Sequence, residues 1–578
     1  MRAPCTYDKL AVIPIRATTE DCVVGWEGVI RRLSERRPRI LCIECYPGVH
    51  VEDIKRSLAS VFQPCQIFRS ADFLKSPGEV EELVATYLTD DPVFGRMNGL
   101  GVGDFLDPTK LALGQEQIRK SEGRVLVVGT GATLLAPEAD VLVYADLSRW
   151  EIQQRQRRNE VPNLGANNRN ERASLKYKRA FFVDWRAADR LKKQAFPKID
   201  FLLDTHDQTA PKLIPGEAIR QALRSVVARP FRVAPFFDPG PWGGEWMRKM
   251  CDLPAEAPNY AWCFDCVPEE NSLRLGFGTT VVEVPALDLV FFEPRRLLGE
   301  AVHARFGTEF PIRFDFLDTM DGGNLSLQVH PLTEYIQDQF GMNYTQDESY
   351  YVLDAKGGAG VFLGLQERVN PAEMREALER AQQGNCPFPA ERFVNRWPAK
   401  KHDHFLIPAG TVHCSGKNCM VLEISATPYI FTFKLWDWDR LDLDGRPRPV
   451  HLEHGIRNIQ WDRTTEWVRL NLLNRIELIA EGEGSREERT GLHEREFIET
   501  RRHWFNEKVW HHTQGGVNVL NLVEGPEVVV ESPDQAFEPF MVHYAETFIV
   551  PAAVGRYTIR PSKPGRCATI KAYVRTSP

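Results

Sequence analysis

Four apolar runs within the first 225 residues set the strongest limit on what this chain can fold into. RPRILCIECYPGV, GRVLVVGTGATLL, ADVLVYADL and KIDFLLDTHD each hold a stretch that is apolar at nearly every position, not at alternate ones. A strand with one wet face alternates, whereas a strand buried on both faces does not. Segments of helical periodicity lie among them, HVEDIKRSLASVF and SRWEIQQRQRR. Strands interleaved with helices imply a parallel sheet covered on both faces. The pattern changes at ARPFRVAPFFDPGPWGG, a Pro/Gly-rich stretch of the kind that marks a boundary. Beyond it come short β-patterned runs: LRLGFGTTVVEV, NLSLQVH, YYVL, GVFLGL, HFLIPAG, MVLEISA and YIFTFKLWDWD. One helical insert, NPAEMREALERAQQG near 370–384, interrupts them, and short strands return from GGVNVLNLVEGPEVVV to ATIKAYVR. Regular short strands with turn signals predict a sandwich or barrel, the jelly roll among them. The reading is an α/β domain over 1–225, a β domain over 226–470 and a second β domain over 471–578.

Composition narrows the function classes. The 578 residues are 43% hydrophobic and 26% charged, the profile of a globular chain of several domains. A formal net charge of −7 makes no electrostatic case for nucleic acid or an anionic membrane as partner. The N-terminal MRAPCTYDKLAVIPIRATTED has no apolar signal core, and no run of about 18 apolar residues exists to span a bilayer. The twelve cysteines are scattered, mostly in strand-like surroundings such as ILCIECY. That pattern suits reduced, packed thiols and a cytoplasmic setting. The pair Cys263 and Cys266 has no second pair at zinc spacing and reads as two buried strand thiols.

The chemistry-bearing residues sit in the β half. In LSLQVHP, Gln328 and His330 are two apart on a strand and so share a face. Glu348 opens the strand of DESYYVL, and His413 closes IPAGTVH. Together they form a nitrogen and oxygen donor set of the kind zinc accepts, with room for water or a substrate oxygen. The order and phrasing of these motifs, with VLEIS and TFKLWDWDRLDLDGRPRPVHLE after them and PFFDPGPWGGEWM before, resemble type I phosphomannose isomerases over about residues 230–578. A weaker echo lies in HYAETFIVPAAVGRYTI. The resemblance implies a fold of two jelly rolls of the cupin type and one zinc ion per chain held by Gln328, His330, Glu348 and His413. It also implies interconversion of mannose 6-phosphate and fructose 6-phosphate through a cis-enediol. Catalytic roles then fall to Glu423, Lys434 and Arg440. TFKLWDWDR alternates as a strand, which places Lys434, Trp436, Trp438 and Arg440 on one face.

The chain departs from that family at places that bear on the phosphate. Asp315 and Gln346 stand where many members carry lysine, and Lys434 stands where arginine is more usual. Either Arg313, Arg440 or Arg446 has taken over the phosphate, or the substrate differs. In the first half, the strand feeding GTGATLL, the ECYPGVHVEDIK turn and the arginine-rich helix resemble a uridine-kinase-like P-loop domain. However, GxxxxGK[ST] is absent, and Leu134 stands where a dinucleotide fingerprint wants its third glycine. The expectation is a degenerate kinase-like domain joined to a metal-dependent sugar-phosphate isomerase, with a small-molecule sugar phosphate as partner. A bifunctional kinase–isomerase and a non-catalytic sugar-binding regulator are the competing readings.

Overall fold

The computed structural model describes residues 6–16, 22–59, 65–384, 386–426, 429, 431–441, 448–491 and 493–576. Its first half is built on a seven-stranded sheet. Five strands of that sheet run parallel in the order Cys65–Arg69, Arg124–Gly129, Ile40–Cys45, Val141–Asp146, Phe201–Asp204. Lys212–Pro215 and Val23–Val24 extend it antiparallel. The fully apolar runs are explained by their positions. Leu41, Ile43 and Cys45 of the central strand enter one hydrophobic cluster, while Ile40 and Cys42 enter another on the opposite face.

The first strand of the chain lies elsewhere. Ile13–Ile15 pairs in parallel with Ser272–Phe277, which forms a hairpin with Thr280–Pro285. Thus a domain boundary drawn at residue 225 leaves out one crossing, made because Ile13 buries its side chain in the core shared by both halves.

The β half contains two antiparallel sandwiches. The first has a six-stranded sheet ordered His404–Ile407, Glu348–Ala355, Cys419–Ser425, Arg313–Asp318, Trp262–Cys266, Phe236–Asp238. It faces a five-stranded sheet ordered Val394–Pro398, Gly360–Leu365, His413–Ser415, Leu327–Val329, Phe433–Trp436. Residues 477–574 supply the second sandwich, of six and four strands. The helical insert is Pro371–Gln382, started by Asn370, whose side chain accepts from the Ala372 and Glu373 N–H groups, with Pro371 at the first position. Cys263 and Cys266 are buried on one strand. Among the described residues no helix is long and apolar enough to cross a membrane.

Candidate metal centre and its pocket

The facing sheets of the first sandwich deliver the site from both sides. Gln328 lies on the strand next to one edge of the five-stranded sheet, opposite His413 on one neighbour and Lys434 on the other. Across the interior, Glu348 begins its strand and Glu423 sits between Asp315 and Tyr350 in register. Leu327 and Val329 are fully buried on the reverse face, and this fixes the register that turns Gln328 and His330 inward.

His330, Glu348 and His413 converge, each with a fully buried side chain. His330 Nε2 is 3.0 Å from Glu348 Oε2, and His413 Nε2 is 2.9 Å from Glu348 Oε1. The proton inventory shows what this cluster requires. His330 Nδ1 is 2.7 Å from the Phe431 carbonyl and His413 Nδ1 is 2.8 Å from the Thr411 carbonyl. A carbonyl only accepts, so each imidazole spends an N–H there and turns its Nε2 toward the carboxylate. Neutral rings would then present lone pairs to a carboxylate at hydrogen-bond distance, an arrangement that calls for a cation. A divalent ion at 2.0–2.2 Å would suit nitrogen and oxygen donors spaced roughly 3.4 Å apart, close to the spacing observed. The Gln328 amide end lies 3.3 Å from His413 Nε2, and rotating that amide by half a turn presents its oxygen to the same point. The four residues therefore fit a zinc-type ion.

The charges around the cluster follow the same logic. Burial alone would depress His330, but the Glu348 carboxylate holds it above its ordinary value. Burial works against the Glu348 charge too, and is overcome by His330 and His413, which hold it well below the usual range. Glu423 is pushed well above that range by burial, with the Asp315 and Glu348 carboxylates adding to the effect. Asp315 rises to about 6 for the same first reason, restrained by Arg313 beside it. Burial lowers Lys434.

A cavity of about 500 Å³ opens beside the cluster, lined by Gln328, Gln346, Glu423, Lys434, Arg313 and Asp315 among others. Gln346 links the two, since its Nε2 donates to Glu348 Oε2 at 2.8 Å. The guanidinium of Arg313 lies 3.8 Å from Asp315, and its Nε is buried without a hydrogen-bond partner.

Several expected placements change. The strand carrying Lys434 ends at Trp436, and Trp438 and Asp439 adopt left-handed backbone at φ 56° and 54°. The alternation that would bring Trp438 and Arg440 onto the face of Lys434 is therefore broken. Arg440 instead donates to the Asn324 carbonyl and lies 3.4 Å from Asp437, lining a separate small cavity. Arg448 takes its place on the main cavity wall, 3.2 Å from Asp437. Arg446 lies outside the described residues. His451 lines the cavity with both ring nitrogens free of hydrogen bonds, and nothing in its sequence surroundings, RPRPVHLEHG, marks it as a pocket residue.

The glycine loop of the first half presents the opposite case. Gly131 N–H donates to Glu44 Oε1 at 2.7 Å, and the Thr133 N–H and hydroxyl donate to Glu44 Oε2 at 2.8 and 2.7 Å. Gly131 sits at φ 88°, a left-handed geometry that glycine adopts without strain. The Gly131 and Thr133 amides are thus taken by the chain's own carboxylate, while Gly129 and Thr130 line a cavity with Pro47, Gly48 and Val49.

Comparison with known proteins covers both halves. A family profile described as "Domain of unknown function (DUF8485)" matches residues 25–228. The chain is 30% identical over 217 residues to the mannose-6-phosphate isomerase of Streptococcus mutans, a match covering 37% of this chain and 63% of that protein. It is 26% identical over 241 residues to mannose-6-phosphate isomerase ManA of Bacillus subtilis, covering 41% of this chain and 69% of that protein. The chain thus spans somewhat under two thirds of the first relative's length. A crystal structure of mannose 6-phosphate isomerase from Bacillus subtilis aligns over 60% of this chain and 99% of its own, at 20% identity and a TM-score of 0.48.

Proposed function

We propose that the chain is a metal-dependent aldose–ketose isomerase that interconverts mannose 6-phosphate and fructose 6-phosphate. One observation carries this reading: His330, Glu348 and His413 converge, buried, with both histidine Nδ1 protons already donated, beside a cavity lined by Glu423 and Lys434. The likeness to proteins named mannose-6-phosphate isomerase supports the substrate. Gln328, His330, Glu348 and His413 would hold one ion, and zinc suits their donor types. Once bound, such an ion supplies Lewis acidity to substrate oxygens and offsets negative charge developing on them.

This chain's own residues handle the protons. Glu423, reached from the cavity and raised by burial, is a stronger base when ionised than an exposed carboxylate. In our reading it takes the proton from C2 of the aldose, giving a cis-enediol, and returns it to C1. The remaining hydroxyl proton passes from O2 to O1, which leaves the ketose with every atom accounted for. Lys434, opposite Gln328 on the neighbouring strand, places positive charge toward those oxygens, where it counts most as charge develops. Arg440, tied to Asn324 and Asp437, would hold the segment that follows Lys434 and act only by positioning it.

The α/β half is read as a packing and wall-forming domain. Glu44 on the loop amides supports this reading over a bifunctional kinase–isomerase. The deciding experiment is an isomerase assay on purified full-length protein with mannose 6-phosphate and with free mannose. Activity on the phosphorylated sugar, lost with a chelator and regained with zinc, is expected. A metal-loaded protein that leaves mannose 6-phosphate unchanged would overturn the proposal.

A further inference from the structure

The β half does not build the substrate cavity alone. Phe94, on the loop after helix Pro77–Leu88, is 0% exposed. Its ring stacks on Phe431 at 5.3 Å and meets Phe433 and His451 edge-on at 5.2 and 4.9 Å. These rings bracket Lys434, because Phe433 precedes it and the His451 backbone N–H donates to the Lys434 carbonyl at 2.8 Å. The Tyr429 hydroxyl donates to the Val93 carbonyl at 3.2 Å, and Tyr177 stacks on Tyr429 at 5.9 Å while donating to Glu270 Oε1 at 2.5 Å. From this junction the α/β half contributes Val93, Phe94, Arg172, Ser174, Leu175 and Tyr177 to the cavity wall.

The charges of that wall are unevenly spent. Its lysine and arginine cations are Arg172, Arg313, Lys434 and Arg448. Arg313 faces Asp315 at 3.8 Å, with Glu423 and Glu270 also acting on it. Arg448 pairs with Asp437 at 3.2 Å. Lys434 belongs to the reacting end, opposite Gln328. Arg172 has no carboxylate partner among the described residues and is exposed at the wall.

We propose that Arg172 binds the phosphate of the substrate, so that the α/β half is a fixed wall of the isomerase cavity and completes its specificity. This rests on the isomerase reading above. A sugar 6-phosphate carries its anion at the far end from C1 and C2. With the reacting carbons beside Gln328, Glu423 and Lys434, the phosphate falls toward the rim, where a guanidinium offers paired donors to its oxygens. The arrangement also accounts for Asp315 and Gln346, neither of which supplies a cation from the β half.

The test uses full-length protein. Arg172→Met should raise KM for mannose 6-phosphate about tenfold, the loss of a charge-assisted hydrogen bond, while kcat stays within about twofold. Arg172→Lys should recover part of that loss. Inhibition by inorganic phosphate should weaken in step. Ser174→Trp, a bulky change at an exposed position of the same wall, should also raise KM without lowering Tm. Wild-type KM and wild-type phosphate inhibition in both Arg172→Met and Ser174→Trp would overturn the proposal and return the phosphate to Arg313. An equal loss on free mannose would overturn it too, by making Arg172 a general structural residue. If wild type does not isomerise at all, the isomerase reading fails separately. Calorimetric titration of inorganic phosphate into wild type and Arg172→Met then decides, and equal affinities would sink the assignment.

Discussion

Two places in this molecule gather buried polar groups at strand ends, and they differ in how those groups are satisfied. At the end of Ile40–Cys45, Glu44 meets three donors of the glycine loop, and acceptors and donors close on each other. At the candidate metal centre, two histidine Nε2 atoms and a carboxylate point at one another while both Nδ1 protons are donated to backbone carbonyls. A closed polar network stabilises a fold, whereas a converging set of acceptors is costly unless a cation joins it. The contrast teaches that sequence motifs are weak guides until their hydrogen bonds are counted. The Gly131 and Thr133 amides close on Glu44, whereas the cluster with no single strong motif keeps His330 Nε2 and Glu348 Oε1 without hydrogen-bond partners.

The comparison breaks most visibly if the metal centre is not one. His413→Ala should bring bound zinc, measured by elemental analysis, below about a tenth of an equivalent, and activity should fall at least ~10³-fold, since a catalytic zinc rests on three or four ligands. Retention of stoichiometric metal would mean the histidine–glutamate cluster is structural.

Next come the residues that work beside it. Glu423→Gln should keep metal content unchanged while kcat drops about 10²–10⁴-fold, the range of a lost general base. Lys434→Met should lower kcat more than it raises KM, as expected for a cation felt mainly in the transition state. A pure KM effect at Lys434 would move that residue to substrate binding.

The Glu44 network gives a smaller effect, of the opposite kind. Burial raises Glu44 from 4.5 to about 7 in the folded chain. A carboxyl raised on folding contributes stability that is complete below its unfolded value and is lost as pH rises through the folded one. Wild type should therefore lose up to roughly 3 kcal/mol relative to Glu44→Gln between about pH 4.5 and 7, by urea titration, an upper bound because three donors favour the charged form. Neither protein should consume ATP with sugar present. Sugar-dependent ADP formation by wild type would reopen the kinase reading.

The smallest change belongs to Arg440. With Arg440 bonded to Asn324 and Asp437 and absent from the main cavity wall, Arg440→Met should alter kcat/KM by less than about threefold while lowering Tm by a few degrees. A large rise in KM confined to the phosphorylated sugar would restore it to the substrate.

Much of this was legible in the sequence because it is local. Gln328 and His330 share a face by strand parity, and unbroken apolar runs such as ILCIEC report burial on both sides of a sheet. What stayed hidden depends on contacts between distant segments or on a single backbone angle. Glu44 meets residues 87 and 89 positions further on, and no local pattern announces that. The parity of TFKLWDWDR fails at Trp438 because two left-handed residues turn the chain, and neither is glycine. Phe94 reads as an ordinary loop aromatic until the strand Phe433–Trp436, over three hundred residues later, is laid beside it.

The pairing of Ile13–Ile15 with Ser272–Phe277 has a consequence for how the protein is made. Ile13 must wait for Leu275, 262 residues later, before its partner strand leaves the ribosome. At about 5–20 residues per second that is an interval of roughly 13–50 s in which the strand lacks the partner it pairs with. The sheet of the α/β half can close during synthesis without it, but the first strand docks only after the next domain has begun to emerge. Nascent chains halted before residue 272 should therefore expose this segment to proteases and chaperones, and those extended past residue 285 should protect it.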